Sequence, residues 1–298
     1  MQVNQQNLRA TMLGFQTIYN RAFAGTKPLY ERIATIVPSQ TREEDYRWLG
    51  RLPRMREWVG DRVVQNLMQH SYTIRNRDFE LTVGVDRNDI EDDTLGTYSP
   101  LFEAMGQAAA LHPDDLIFEL LMLGFNSICY DGRPFFDQAH PTGDQIAQSN
   151  AGTAPLSSEA YNAAYAAMQA FYDEHGVPLG IQPGLLVVPP QLRATALEIT
   201  KAEKIDGTTN VNRDSAEVLV VPRLAAMPKA WFLLDVNKPV KPLIFQRRKA
   251  PQFVTKDAPT DENVFSRKEF LYGVDSRDNA GFGLWQLAYG STGEGEGD

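Results

Sequence analysis

Cysteine is almost missing. The 298-residue chain has one, Cys129, which excludes an intramolecular disulfide and any cysteine-rich zinc site. Long apolar runs are missing too: no stretch approaches the roughly 18 residues that a spanning helix needs. The opening MQVNQQNLRATMLGF lacks the basic start and sustained apolar block of a secretory signal. Together these absences predict a soluble protein made in a cytoplasm. Positive charge is short as well. Lys plus Arg number 29 against 38 Asp plus Glu, for a net charge of −9, the wrong sign for a protein that grips nucleic acid through its phosphates. Lysine disappears between Lys27 and Lys201 while arginine continues through the gap. Arginine's planar fork suits fixed, bidentate contacts better than lysine's mobile ammonium.

Recognisable chemistry is the next absence. The sequence has no serine elbow, phosphate-cradling loop or paired-histidine motif. Cys129, His140 and Asp137 imitate a nucleophile, base and orienter. Cys129, however, lies in an apolar run with no helix start or glycine elbow to activate it, and reads as a small buried hydrophobe. Asp137-x-x-His140 with Asp131 offers three metal-ligand types, but no second histidine is near, so turn-forming aspartates and a His-Pro bend account for it better. The acidic group Asp86, Asp89, Glu91, Asp92 and Asp93 lacks the glycine and terminal glutamate of a calcium loop. Gly281-x-Gly283 is half a dinucleotide fingerprint in strand-like sequence with no helix after it. No catalytic residue, cofactor or metal site is assigned.

What is present is architecture. Leu185–Thr200 reads LLVVPPQLRATALEIT: a buried strand, a Pro-Pro stop and an amphipathic helix. The strand phrase recurs as Val218-Leu219-Val220-Val221-Pro222. Leu8, Met12, Phe15, Tyr19 and Phe23 predict a helix over 5–24 that stops at Gly25. Two alternating runs in 71–85, parted by Asn76-Arg77-Asp78, predict a strand pair or one bent strand. Ser99 reads as a helix cap with Pro100 at the first position, starting a helix to Leu123. Pro113 leaves open one long bent helix or two helices, of which the single helix is preferred. Asp131-Gly132 predicts a hairpin turn, 144–156 a linker, 158–175 a helix, and 184–235 an α/β module. Strands follow over 245–253 and 269–289, and the tail STGEGEGD reads as disordered.

Between Arg42 and Arg62 six arginines are mixed with acids and with Trp48, Leu49, Leu52, Met55 and Trp58. Interleaved Arg, Trp and Met is the composition of a protein–protein contact. Arg47, Trp48, Arg51, Arg54, Met55 and Trp58 are the candidate inter-subunit contact residues. A long, poorly patterned excursion that returns through strands predicts a loop reaching away from its own domain.

Four stretches carry a family resemblance: 157–199 (SSEAYNAAYAAMQAFYDEHGVPLGIQPGLLVVPPQLRATALEI), HPDDLIFELLMLGF (112–125), CYDGRPFFDQAHP (129–141) and RDNAGFGLWQLAYGS (277–291). In order and spacing the chain resembles the major head subunits of Mu-like phages and prophages. The resemblance implies an α+β, Hong Kong 97-like capsid fold. Its parts would be an N-terminal arm (1–40), an extended loop (41–82) and a peripheral domain (83–147 and 243–290) with a spine helix at 99–123. An α/β axial domain (148–242) and a disordered tail (291–298) would complete it. The implied role is structural and non-enzymatic: hexamers and pentamers of the chain would enclose double-stranded DNA in an icosahedral head. Scaffold and protease would be separate proteins, a portal and a cement protein are further partners, and DNA would be held without sequence-specific binding or any membrane. Relatives that weld the shell use an extended-loop lysine, which this loop lacks. The location would be the virion, with assembly in the host cytoplasm. A cellular encapsulating shell of the same fold, or a hydrolase using Cys129 and His140, are the alternatives.

Overall fold

The computed structural model describes residues 5–49, 72–91, 95–143, 145–205, 207–258 and 260–295. In chain order α1 (Gln5–Gly25) is followed by β1 (Ala34–Pro38), β2 (Glu43–Asp45), β3 (Thr73–Arg75), β4 (Arg77–Asp86), α2 (Arg87–Glu91) and α3 (Ser99–Leu123). Next come β5 (His140–Thr142), β6 (Gln145–Gln148), β7 (Ala151–Gly152), α4 (Ser158–Gln169), β8 (Leu185–Val188) and α5 (Arg193–Lys201). The chain continues with β9 (Lys204–Ile205), β10 (Thr208–Thr209), β11 (Glu217–Val220), β12 (Trp231–Leu234) and β13 (Leu243–Lys256). It ends with α6 (Glu262–Arg267), β14 (Glu269–Phe282) and β15 (Ala288–Ser291).

The first of two main sheets has strand order β1-β13-β14-β4. Its centre is the hairpin of β13 and β14, with β4 antiparallel to β14 and β1 parallel to β13. Helices α1 and α3 pack on it through Phe15, Tyr19, Phe102, Met105, Phe270 and Tyr272. The rings of Phe15 and Phe102 stack with centroids 4.0 Å apart. Gly106 lets the helices meet this closely, since a Cβ there would stand 2.5 Å from the carbonyl oxygen of Tyr19. Each large side chain buried here contributes about 1.5–3 kcal/mol, which is why an amphipathic helix with no acidic residue in its first turn still holds its place.

The second sheet has order β11-β8-β12-β15-β7. Its two repeated phrases are parallel neighbours, Val218 opposite Leu186 and Val220 opposite Val188. Each strand ends in a proline-led 3-10 turn, Pro190–Leu192 and Pro222–Ala226, because proline has no amide hydrogen to continue a ladder. All four residues of β8 and of β12 are buried, as central strands covered on both faces must be.

Helix α3 is the single long helix, with Pro113 inside it. Ser99 is its first helical residue rather than its cap; Tyr98 holds the cap position without a side-chain bond. The proposed helix over 158–175 ends at Gln169. Tyr172 is drawn instead into a bridge with Pro178, and the Gln148 amide takes both its N–H (3.0 Å) and its carbonyl (2.9 Å). The stretch 144–156 holds β6 and β7, more than a linker. Residues 291–295, read as the start of a disordered tail, are tied down by Thr292 N–H to Gly152 O and Gly295 N–H to Thr153 O. Two strands pair across the expected divisions: β1 of the expected arm is an edge strand of the first sheet, and β15, from the end of the expected peripheral unit, lies in the second. Strand pairing with a distant partner decides both, and no local pattern encodes it.

Asp114 and Arg223 join the two sheets. The Asp114 carboxylate, 1% exposed, accepts from the N–H groups of Leu29 (2.9 Å) and Tyr30 (2.7 Å). Arg223, in the turn after β11, reaches Asp114 at 3.7 Å and also pairs with Asp115. Among the described residues no helix is long and apolar enough to cross a membrane.

Candidate functional site

Cys129 and His140 do come together, around Asp131 rather than Asp137. The Asp131-Gly132 turn closes with Gly132 in the left-handed region (φ +83), which glycine adopts without a Cβ clash. Asp131 Oδ1 accepts from the Arg133 N–H (3.0 Å) and the Cys129 thiol (3.1 Å). Asp131 Oδ2 lies 2.6 Å from His140 Nδ1. Asp137 turns away and accepts from the Ala139 N–H at 2.7 Å. The fully buried His140 ring stacks on the Trp285 indole, centroids 4.0 Å apart.

Asn150 completes the centre. Its Nδ2 donates to the carbonyls of Phe135 (2.8 Å), Trp285 (3.3 Å) and Ala288 (3.2 Å). That fixes the amide, so Oδ1 accepts from the Asp137 N–H (2.9 Å) and faces His140 Nε2 (3.0 Å) as an acceptor. His140 Nε2 therefore carries a hydrogen. Burial pushes the Cys129 thiol far above its ordinary value, and the Asp131 charge adds to this, so the sulfur is no nucleophile. For Asp131 burial acts upward, but the His140 hydrogen bond and charge lead the opposing effects and the net shift is down. Cys129, Asp131 and His140 place ligand-type atoms within 4.8 Å of one another, yet at hydrogen-bond separations with every one of those atoms already partnered. This arrangement can hold a fold together, and its cysteine is not an activated nucleophile. Sequence reading missed Asn150, placed within a supposed linker; its only local signal was a polar residue beside the small Ala151-Gly152 pair.

The second candidate region is the root of the proposed loop. Strands β2 and β3 pair with Glu43 opposite Arg75 and Asp45 opposite Thr73, and Tyr46, Leu49 and Ile74 are buried beneath them. Gln246 of β13 anchors both strands: it accepts from the Tyr46 hydroxyl (2.8 Å) and donates to Ile74 O (3.0 Å) and Asn76 Oδ1 (2.8 Å). Asn76 in turn donates to Ser39 Oγ (2.8 Å) and Thr41 O (2.9 Å). The Glu44 carboxylate, gathering the N–H groups of Gln40 and Thr41 and the Ser39 hydroxyl, is held down at about 2. A Cβ on Gly281 would lie 2.1 Å from Ile74 Cδ1 and one on Gly283 2.8 Å from the carbonyl oxygens of Lys241 and Pro242, so the Gly281-x-Gly283 signal marks two close approaches, the first of them to this root. Of the candidate contact residues, Arg47 is exposed and bonded to Asp45 (2.7 Å). Trp48 is half-buried, edge-on to Tyr46 at 6.1 Å. Arg51, Arg54, Met55 and Trp58 lie outside the described residues.

The chain matches the family of the Mu-like prophage major head subunit gpT over residues 8–155, 145–224 and 225–296. It is 33% identical to the major capsid protein of Escherichia phage Mu over 294 residues, covering 99% of this chain and 76% of that protein. In structure it is similar to a chain of the procapsid of bacteriophage JBD30, with TM-score 0.64 and 34% identity over 97% of this chain and 76% of that one. A chain of the JBD30 capsid decorated with minor capsid protein trimers gives TM-score 0.55 and 31% identity over 66% of this chain and 91% of that one. With two main sheets and a long helix, the chain has the α+β, Hong Kong 97-type capsid fold. The chain belongs to the Mu-like prophage major head subunit family: it is a major capsid protein, a structural component of the phage head that assembles with copies of itself.

Proposed function

We propose that the chain builds a closed icosahedral shell of hexamers and pentamers around double-stranded DNA, held by non-covalent contacts of its arm and extended loop. The observation that carries this reading is the root of that loop. Its strands are fixed to β13 by the buried amides of Gln246 and Asn76, so the Arg- and Trp-bearing segment beyond Leu49 starts from a rigid base. No lysine lies between Lys27 and Lys201, so the loop cannot supply the amine of an isopeptide weld. Burial of apolar surface drives association, and Ile146, Val211 and Phe265, each over 80% exposed in the single chain, are candidates for it. In this reading residues 1–40 act as the arm, 41–82 as the loop, and 83–147 with 243–290 as the peripheral part. Residues 148–242 form the axial part, while Arg47, Trp48, Arg51, Arg54, Met55 and Trp58 make contacts between subunits. Scaffold, protease and portal are separate proteins, and assembly takes place in the host cytoplasm. A cement protein is a further partner, in line with the trimers that decorate the JBD30 capsid. With a net charge of −9 the wall encloses DNA without gripping it.

The test is the mass and shape of the purified protein, by light scattering and negative-stain microscopy, with and without the scaffold. Shells, tubes or capsomer rings support the reading, and boiled shells should run as single subunits on a denaturing gel. A stable monomer or dimer under every condition would overturn it. A steep fall in duplex-DNA binding with added salt would sink the non-adhesive wall.

A further inference from the structure

A cleft of about 190 Å³ opens between α3 and the first sheet. Phe79 and Leu81 of β4, Pro251 of β13 and Val274 of β14 give it apolar walls, and the exposed Ala108 of α3 is the small residue beside them. His112 lies against Phe79, ring centroids 4.2 Å apart, while Glu80 and Asp115 stand in the lining as acids. Sites for free small molecules usually measure about 300–1,000 Å³. This one is sized for a single large side chain, the form that an anchor pocket in a protein contact takes.

We infer that this cleft receives Phe265 of a neighbouring copy, which deepens the part given above to Phe265 in association and rests on it. Phe265 is the most exposed large apolar side chain among the described residues, at 88%. It also stands on a fixed base. Its helix, α6, lies between β13 and β14 at the end of their hairpin. There Val264 is buried in the same core as Phe15 and Phe270, and Asn263 Nδ2 donates to the carbonyls of Lys256 (2.9 Å) and Glu269 (2.7 Å). An aromatic ring presented this way has little freedom left to lose on binding, as an anchor residue requires. Charge supplies the match. Arg267 and Lys268 follow Phe265 within three residues, exposed and in no ion pair among the described residues. The cleft offers them Glu80 and Asp115, the latter already shared with Arg223. The occupant comes from another copy. Val274 in the cleft wall is five steps along β14 from Glu269, where the strand leaves α6, or roughly 17 Å, and a chain's own Phe265 stands in solvent. Donor and receptor are different patches, so the contact is heterologous: each copy gives one ring and takes another.

The experiment pairs Phe265→Cys with Ala108→Cys in the full chain, oxidised after assembly. Both positions are exposed in the subunit, and native Cys129 is buried and does not compete. The expected result is covalent oligomers from the double variant, cross-linked pairs from a mixture of the two single variants, and only single subunits from either alone. Ala108→Trp fills the cleft and Phe265→Ser removes its occupant. Each should leave the circular dichroism of the subunit unchanged while raising the concentration needed for assembly by about tenfold or more. Assembly of both at the parent's concentration, with no cross-link, would overturn the inference and leave self-assembly standing. Should Ala108→Trp block assembly while Phe265→Ser assembles normally and no cross-link forms, the cleft has another occupant and the inference falls. A parent chain that forms no shell under any condition would instead remove the assembly reading beneath it.

Discussion

Asn150 is the residue whose loss should cost the subunit most for its size. Replacing it with alanine deletes five hydrogen bonds from a side chain with no solvent exposure: three donated to carbonyls at 2.8–3.3 Å and two accepted, from Asp137 N–H and His140 Nε2. Each buried polar group left unpaired costs about 1–3 kcal/mol. Even at the lower bound the total is about 5 kcal/mol, in the range that single substitutions rarely reach. Asn150→Asp keeps the shape and both accepted bonds, but turns a carboxylate oxygen toward three carbonyls. Its folded-state pKa should therefore rise above the unfolded value of about 3.9. By linkage the penalty is then greatest at neutral pH and eases as pH falls through the folded value. Urea unfolding of the unassembled subunit is the assay, followed by the fluorescence of Trp285, which stacks on His140. Ser149→Ala, a half-buried neighbour whose hydroxyl makes two local bonds with Ala151, is the control and should change stability by less than about 1 kcal/mol. An Asn150→Ala subunit within about 1 kcal/mol of the parent would show that the buried network does not hold this part of the fold.

Other outcomes follow from the same geometry. Asp114→Ala strips the acceptor from the Leu29 and Tyr30 N–H groups and should cost about 3–5 kcal/mol in the same unfolding assay; a loss below about 1 kcal/mol would mean that the joint between α3 and the 3-10 turn after α1 is held some other way. Glu44 has a folded pKa depressed from 4.5 to about 2, so its stabilisation is complete above the ordinary value and lost as pH falls toward 2. The stability gap between the parent and Glu44→Gln should close over that window, modestly because the group meets solvent, and a pH-independent gap would refute the assignment. Cys129 should resist iodoacetamide at pH 8 in the folded subunit and react promptly in urea, since burial keeps it a thiol; fast native labelling by mass spectrometry would contradict this.

The four longer helices and the strands β3, β4, β8, β11, β12, β13 and β14 are legible in the sequence because their signals are local. Period-two alternation marks β3 and β4, proline marks the ends of β8 and β11, and Gly25 marks the end of α1. The candidate centre is only half legible. Cys129, Asp131 and His140 stand out by residue type, but which aspartate reaches His140 depends on how the Asp131-Gly132 turn folds back. Asn150 gains its role only when Trp285 and Ala288, 135 and 138 residues away, converge on it beside Phe135. Pattern alone determined where the longer helices and the main strands lie and where arginine and tryptophan concentrate, while the α+β capsid fold came from the family resemblance. Tertiary structure decided which distant strands pair: β1 with β13, and β15 between β12 and β7. It also decided that Gly281 exists to admit Ile74 and that a cleft remains beside Ala108. Strand partners and voids are set by packing among residues far apart in the chain, and a local sequence pattern carries no record of that packing.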